Sequence, residues 1–160
     1  FLIYRFDLNH QDLGTFFLYT GLWLIFGQLV TVRLVANKLP EEKLVYLSVF
    51  GAAGVMLLYL VPTNWYGLMF VLPFFTNFMA ISMANIPALV SKVATSDRQG
   101  EYMGINNSVQ AVALTIAPIL SGYISAQLTP VSIIITAASL MACAALIFAF
   151  YASLKKSQYY

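Results

Sequence analysis

Charge is what this sequence has least of. Only 9% of its 160 residues are Asp, Glu, Lys or Arg, against 61% hydrophobic residues, and mean hydropathy is +0.81. Soluble domains carry about 25% charged residues, so a water-facing surface here has too few polar groups to cover it. Cysteine and histidine are also scarce, one of each, at Cys143 and His10. That excludes an internal disulfide framework and a multi-histidine metal site. Cys143 stands among Ala142, Ala144 and Ala145, the setting of a small buried thiol. A net charge of +2, widely dispersed, is no nucleic-acid footprint. Enzyme motifs are missing too: no Gly-x-Ser-x-Gly elbow, no His-Glu-x-x-His pair, no histidine within an apolar run. No catalytic residue, metal ligand or cofactor is expected.

Long uncharged runs take the place of charge. They lie between Asp12 and Arg33, from Leu44 to Ser91, and from Tyr102 to Leu154. A helix rises about 1.5 Å per residue, so about 20 residues cross a ~30 Å hydrocarbon core. The first run holds one span. The others hold two each, divided at Pro62-Thr63-Asn64 and at Gln127-Leu128-Thr129-Pro130. The expected fold is an all-α, polytopic transmembrane helix bundle with spans at roughly 15–34, 44–61, 65–91, 100–125 and 131–154, and a tail at 155–160. Phe1-Leu2-Ile3-Tyr4 reads as the end of an apolar helix begun upstream, a stub at 1–6, with no charged n-region, apolar h-region and cleavage site to suggest a signal peptide. The chain is thus expected to be an internal-to-C-terminal piece of six segments, whose N-terminal half precedes it.

The loops alternate in charge. Arg33, Lys38 and Lys43 share one connection, Lys92 and Arg98 the next but one, and Lys155 and Lys156 follow the last span. The intervening turns carry none, and Arg5 alone lies on the other side. By the positive-inside rule the charged loops and the C-terminus are cytoplasmic. Ser96-Asp97-Arg98-Gln99 has the pattern of a capping box, with Asp97 and Glu101 near the positive helix end. Arg33, Asp97 and Arg98 are the loop or gating candidates, although a structural role suffices for these charges.

Within the spans, amides are the main polar groups: Gln28, Asn77, Asn85, Asn106, Asn107 and Gln110. Polar side chains in lipid face protein or water. Asn77 and Asn85 occupy neighbouring parts of one helix face near Pro73 and Pro87. Two readings stand: a bent, cavity-lining helix, or amides bonded to neighbouring helices. Asn107, Gln110, Leu114, Ala117, Ser121 and Ser125 form a second stripe, read as a packing seam or a binding face. Gly51 and Gly54 are expected to let two backbones approach. Gly100 and Gly104 are read as loop flexibility and close packing at the membrane edge.

Gln99-Gly100-Glu101-Tyr102-Met103-Gly104-Ile105-Asn106-Asn107-Ser108, continuing to Ala117-Pro118 and Ser121-Gly122, resembles the start of the eleventh helix of the drug and tetracycline antiporter branch of the major facilitator superfamily. Gly27 and Leu29 fit that superfamily's loop motif, but Thr31 replaces its aspartate and Val32 its arginine, which weakens any charge latch there. The resemblance spans essentially the whole chain. It implies the second six-helix half of the fold, from a shortened seventh helix to the twelfth. The seventh, eighth, tenth and eleventh helices would then surround a central cavity, with the ninth and twelfth at the periphery.

On that resemblance the cavity candidates are Asn77, Asn85 and Gln110 by depth, with Asn107, and Gln28 nearer the loop edge. The expected activity is proton-coupled export of small amphipathic molecules, working with the upstream half in a bacterial inner (plasma) membrane. Since no acid lies in these spans, the coupling carboxylate is expected upstream. An importer or uniporter of a metabolite or sugar is the alternative, and a membrane scaffold the third reading. The expected partners are lipid, the N-terminal half, a small-molecule substrate and protons, with no nucleic acid.

Overall fold

The computed structural model describes residues 2–6 and 8–157, and every described element is helical. The helices are α1 (Leu2–Phe6), α2 (His10–Phe26), a π-helical turn (Gly27–Thr31), α3 (Val32–Ala36), α4 (Glu41–Leu58), α5 (Trp65–Val93), α6 (Gln99–Gln127) and α7 (Pro130–Ser157). Among the described residues, four continuous rods are long and apolar enough to cross a membrane: His10–Ala36, Trp65–Val93, Gln99–Gln127 and Val131–Leu154. α4 also has a long apolar run, but its 18 residues include Glu41, Glu42 and Lys43 in the first turn.

The ends differ from the sequence expectation for reasons of capping. α2 starts at His10, five residues before the expected span, because Asn9 and Asp12 form a reciprocal capping box. Asp12 N–H donates to Asn9 Oδ1 at 2.9 Å and Asn9 N–H to Asp12 Oδ2 at 3.1 Å. α4 occupies 41–58 rather than 44–61. Beyond Leu58 the N–H groups of Leu60 and Val61 reach back only three residues, so the chain tightens before Pro62. The capping box expected at Ser96 does not form. α6 begins at Gln99, its N-cap is Arg98 without a side-chain bond, and the Gln99 amide donates to Ser91 instead. α7 runs to Ser157, so the expected tail at 155–160 starts as helix. Phe1, Asp7 and residues 158–160 lie outside the described residues, as do the side chains of Arg5, Lys155 and Lys156 used in the charge pattern.

α4 is central, packed between α5 and α7, and α2 lies on the other flank of α5. The core is built from small and aliphatic side chains: Ser48, Ala52 and Ala53 of α4, Leu68, Leu72 and Ala80 of α5, Ala138 and Ala145 of α7. Small residues let helices approach closely where lipid supplies no hydrophobic drive. The Ser48 and Ser82 hydroxyls meet at 2.8 Å across the α4–α5 seam. Gly51 serves this seam differently from expectation. A Cβ there would lie 2.6 Å from the Phe78 ring, so the glycine admits an aromatic side chain and not a second backbone, and Gly54 faces open space.

α6 has no buried residue. Of its small-and-polar stripe, Ser121 and Ser125 are half-buried, whereas Asn107, Gln110, Leu114 and Ala117 are exposed. Gly100 and Gly104 lie inside α6 with nothing near the position of a Cβ, so neither a loop nor close packing explains them. Cys143 is exposed on α7, not buried as its alanine neighbours suggested. It lies two residues from buried Ala145, about 200° around the helix.

Candidate functional site

α5 continues through Pro73 and Pro87, although each proline removes a backbone donor. Side chains serve the carbonyls around the first. The Thr76 hydroxyl donates to Leu72 O at 3.2 Å and Pro73 O at 3.0 Å, and Asn77 Nδ2 donates to Pro73 O at 2.7 Å. This places the Asn77 carbonyl oxygen toward α2, where it accepts a hydrogen bond from the Thr31 hydroxyl.

The approach of the two helices depends on Gly27. It is buried, and a Cβ there would stand 2.8 Å from Ala80 Cβ and 3.2 Å from Asn77 Oδ1. The turn from Gly27 to Thr31 is π-helical, with Val32 N–H bonded to Gly27 O. Such turns are rare and recur at functional sites.

Beside this contact is a cavity of about 380 Å³ lined by Trp23 and Thr31 from the α2 side and by Pro73, Phe74, Asn77 and Phe78 from α5. Trp23 makes edge contacts with Tyr19 and Phe26, at centroid distances of 6.2 and 5.3 Å, which orient its indole. The hydrogen-bonding side chains in this lining are uncharged. One amide N–H of Asn77 and the oxygen lone pairs of Asn77 and Thr31 can meet a ligand, and the indole face can take an apolar ring or a cation. The lining holds no acid or base for proton transfer.

The other sequence candidates lie apart from this cavity. Asn85 is 6% exposed and donates to Ile81 O at 2.8 Å. It continues the stripe of Phe78 and Ser82 that meets α4. Gln28 is exposed on the π-helical turn, and Asn107 and Gln110 are exposed on α6. Beside them, Asn106 Nδ2 is buried without a hydrogen-bond partner among the described residues. Arg33, Asp97 and Arg98 are exposed near the charged loops. The Thr95 hydroxyl, then the backbone N–H of Asp97 itself, hold the Asp97 carboxyl below its ordinary range. Nearby, Lys92 at the end of α5 pairs with Glu41 at the start of α4.

In the sequence Thr31 stands out only as the residue that replaces the loop motif's aspartate. Its signal was the four-residue spacing of Trp23, Gly27 and Thr31, which places an aromatic, a gap and a hydroxyl on one helix face. Pro73, Asn77 and Ile81 form the facing row on α5 with the same period.

A family model described as the Major Facilitator Superfamily matches residues 1–159. No curated protein and no solved structure matches the chain. The family match agrees with the all-helical architecture and its four membrane-length rods. The chain belongs to the Major Facilitator Superfamily: it is a multi-pass membrane protein of the transporter class, associated with the bilayer and acting on small-molecule substrates.

Proposed function

We propose that the chain is the C-terminal half of a secondary active transporter of the drug and tetracycline antiporter branch, exporting small amphipathic molecules in exchange for protons by alternating access. The observation that carries this reading is the uncharged cavity between α2 and α5, where Trp23 and Phe74 flank the bonded pair Asn77 and Thr31. An aromatic wall beside one amide and one hydroxyl suits a ligand that is mostly apolar with a few polar groups. It suits an anion poorly, since the lining offers no cation to pair with it.

The coupling acid belongs to an N-terminal half. The uncharged runs between Asp12 and Arg33, from Leu44 to Ser91 and from Tyr102 to Leu154 offer no group that titrates like a carboxylate or histidine. The bare surface of α6 supports the same division of labour, with Asn107 and Gln110 completing a central cavity from the facing half. Asn85 positions α5 against α4, and Gln28 steadies the π-helical turn. Arg33, Asp97 and Arg98 belong to the cytoplasmic gate, the C-terminus being cytoplasmic in a bacterial inner membrane.

Transport by the full-length protein in sealed vesicles tests this directly, with a panel of amphipathic drugs and metabolites. Export that requires an inward proton gradient and falls in Asn77→Ala supports the reading. Flux that ignores the gradient, with sugars or metabolites preferred, replaces it with uniport or import.

A further inference from the structure

The Thr31 hydroxyl is bonded unlike those of the other helical threonines. Thr15, Thr20, Thr115 and Thr136 each donate to the carbonyl four residues earlier in their own helix, at 3.1, 2.7, 2.9 and 2.7 Å. Thr76 donates to the carbonyls three and four residues earlier. Thr31 crosses instead to Asn77 Oδ1 on α5. The carbonyl four residues before it, Gly27 O, receives the Val32 N–H of the π-helical turn. A carbonyl oxygen has two lone pairs, whereas a hydroxyl has one hydrogen. Gly27 O can therefore take the Thr31 hydrogen beside Val32 N–H. Thr31 reaches it by turning about its Cα–Cβ bond, because threonine in a helix divides between two rotamers that serve such carbonyls.

Leaving Asn77 thus orphans no hydroxyl, and the penalty of an abandoned donor is avoided. The Asn77 amide does not turn with it, since Nδ2 remains on Pro73 O. What becomes available is the Asn77 oxygen. The side-chain oxygens of the cavity lining are those of Asn77 and Thr31. An O–H or N–H entering between these rings and hydrocarbon surfaces has those two oxygens to bond.

We infer that Thr31 is a two-position clasp between α5 and the π-helical turn, released by the hydrogen-bond donor of a ligand. In one position its hydrogen holds Asn77. In the other a ligand O–H or N–H has taken the Asn77 oxygen, and the Thr31 hydrogen has passed to Gly27 O. Ligand binding then unfastens the α2 side of the cavity from α5. The clasp presupposes that this cavity is the substrate site, and it narrows the substrate to apolar molecules that carry a donor.

Gly27 and Gln28 form the one Gly–Gln pair of this chain. Glycine labelled at its carbonyl and glutamine labelled at its backbone nitrogen therefore report the Gly27 carbonyl by solid-state NMR of the full-length protein in nanodiscs. The signal lost in Gln28→Asn identifies it. A carbonyl that gains a hydrogen bond moves downfield. In Asn77→Ala the Thr31 hydrogen is left with its own helix, so the signal is expected to move downfield without a ligand. Adding Thr31→Val should cancel that move, and adding Thr31→Ser should keep it. In the wild type β-naphthol should cause the same move, and its methyl ether, which has no donor, should not. Binding of either probe is followed by the quenching of tryptophan fluorescence that is missing in Trp23→Phe. An unmoved signal in Asn77→Ala, or the same move with Thr31→Val present, overturns the clasp. Bound β-naphthol that leaves the signal in place, or an equal response to both probes, overturns its release by a donor. No saturable quenching by either probe overturns the cavity as the substrate site, and Asn77→Ala still decides the clasp.

Discussion

Replacing Gly27 by alanine adds one methyl group at the tightest point between α2 and α5. The added carbon would stand 2.8 Å from Ala80 Cβ, where ordinary contact begins at 3.4 Å. Ala80 has no torsion that moves its methyl away, so the helices themselves must part by about half an ångström, the difference between those two distances. Overpacking of this kind costs about 1–3 kcal/mol. Against it stands the ordinary preference of a helix for Ala over Gly, about 0.5–1 kcal/mol. Gly21 supplies the reference, because it lies on the same rod with nothing within 4 Å of its Cβ position. Gly21→Ala is expected to stabilise by about 0.5–1 kcal/mol. Gly27→Ala is expected to fall below Gly21→Ala by about 1–3 kcal/mol. Equilibrium unfolding of the full-length protein in mixed micelles, followed by far-ultraviolet circular dichroism, measures the gap. Ala80→Gly in the Gly27→Ala background should restore most of it, a coupling of about 0.5–3 kcal/mol. If Gly27→Ala matched Gly21→Ala, or Ala80→Gly gave no rescue, the close approach of α2 and α5 would be refuted.

Thr31→Val removes the hydrogen bond to Asn77, and Asn77→Ala removes that bond together with the one to Pro73 O. Each is expected to lower transport efficiency at least about two- to tenfold per folded molecule, the equivalent of about 0.5–1.5 kcal/mol per bond. Asn85→Ala should instead lower stability and leave the rate per folded molecule unchanged; initial transport rates normalised to monodisperse protein distinguish the two outcomes. Ser48→Ala is expected to cost only about 0.6 kcal/mol, because Ser82 keeps its bond to Phe78 O at 3.2 Å; chemical unfolding in micelles reads this. Carboxyl NMR should place the Asp97 midpoint below its ordinary value, and Thr95→Val should raise it. The sign follows from the depressed value: this contribution is complete above the ordinary aspartate range near about 3.9. It is lost as pH falls through the folded-state midpoint.

The long rods were legible because lipid leaves a coarse mark, the removal of charge over many consecutive residues. Their ends were not, since an end depends on which side chain reaches which N–H. Ser96 and Gln99 carry the letters of a capping box but form none, whereas Asn9 and Asp12, overlooked, form one. The polar positions were found without their partners. Asn77 and Asn85 are eight residues apart, which is about 80° around a helix. That rotation is enough to send Asn77 to α2 and leave Asn85 on the row that meets α4. Gly27 and Thr31 were read against a loop motif, yet their contacts are with Ala80 and Asn77 on another helix, and spacing along one helix cannot name its neighbour.

The polar side chains of α5 have a consequence for how the chain enters a bilayer. Thr76, Asn77, Ser82 and Asn85 each donate to the carbonyl four residues earlier in the same helix. Both hydroxyl donors and one N–H of each amide therefore leave water already partnered, which lowers the cost of moving the segment into hydrocarbon before another helix arrives. The bonds to Thr31 and Ser48 use the lone pairs left over. They are available only after insertion, when the rods meet sideways. Biogenesis of α5 is thus separable into a step that satisfies the helix by itself and a later one that chooses its neighbours.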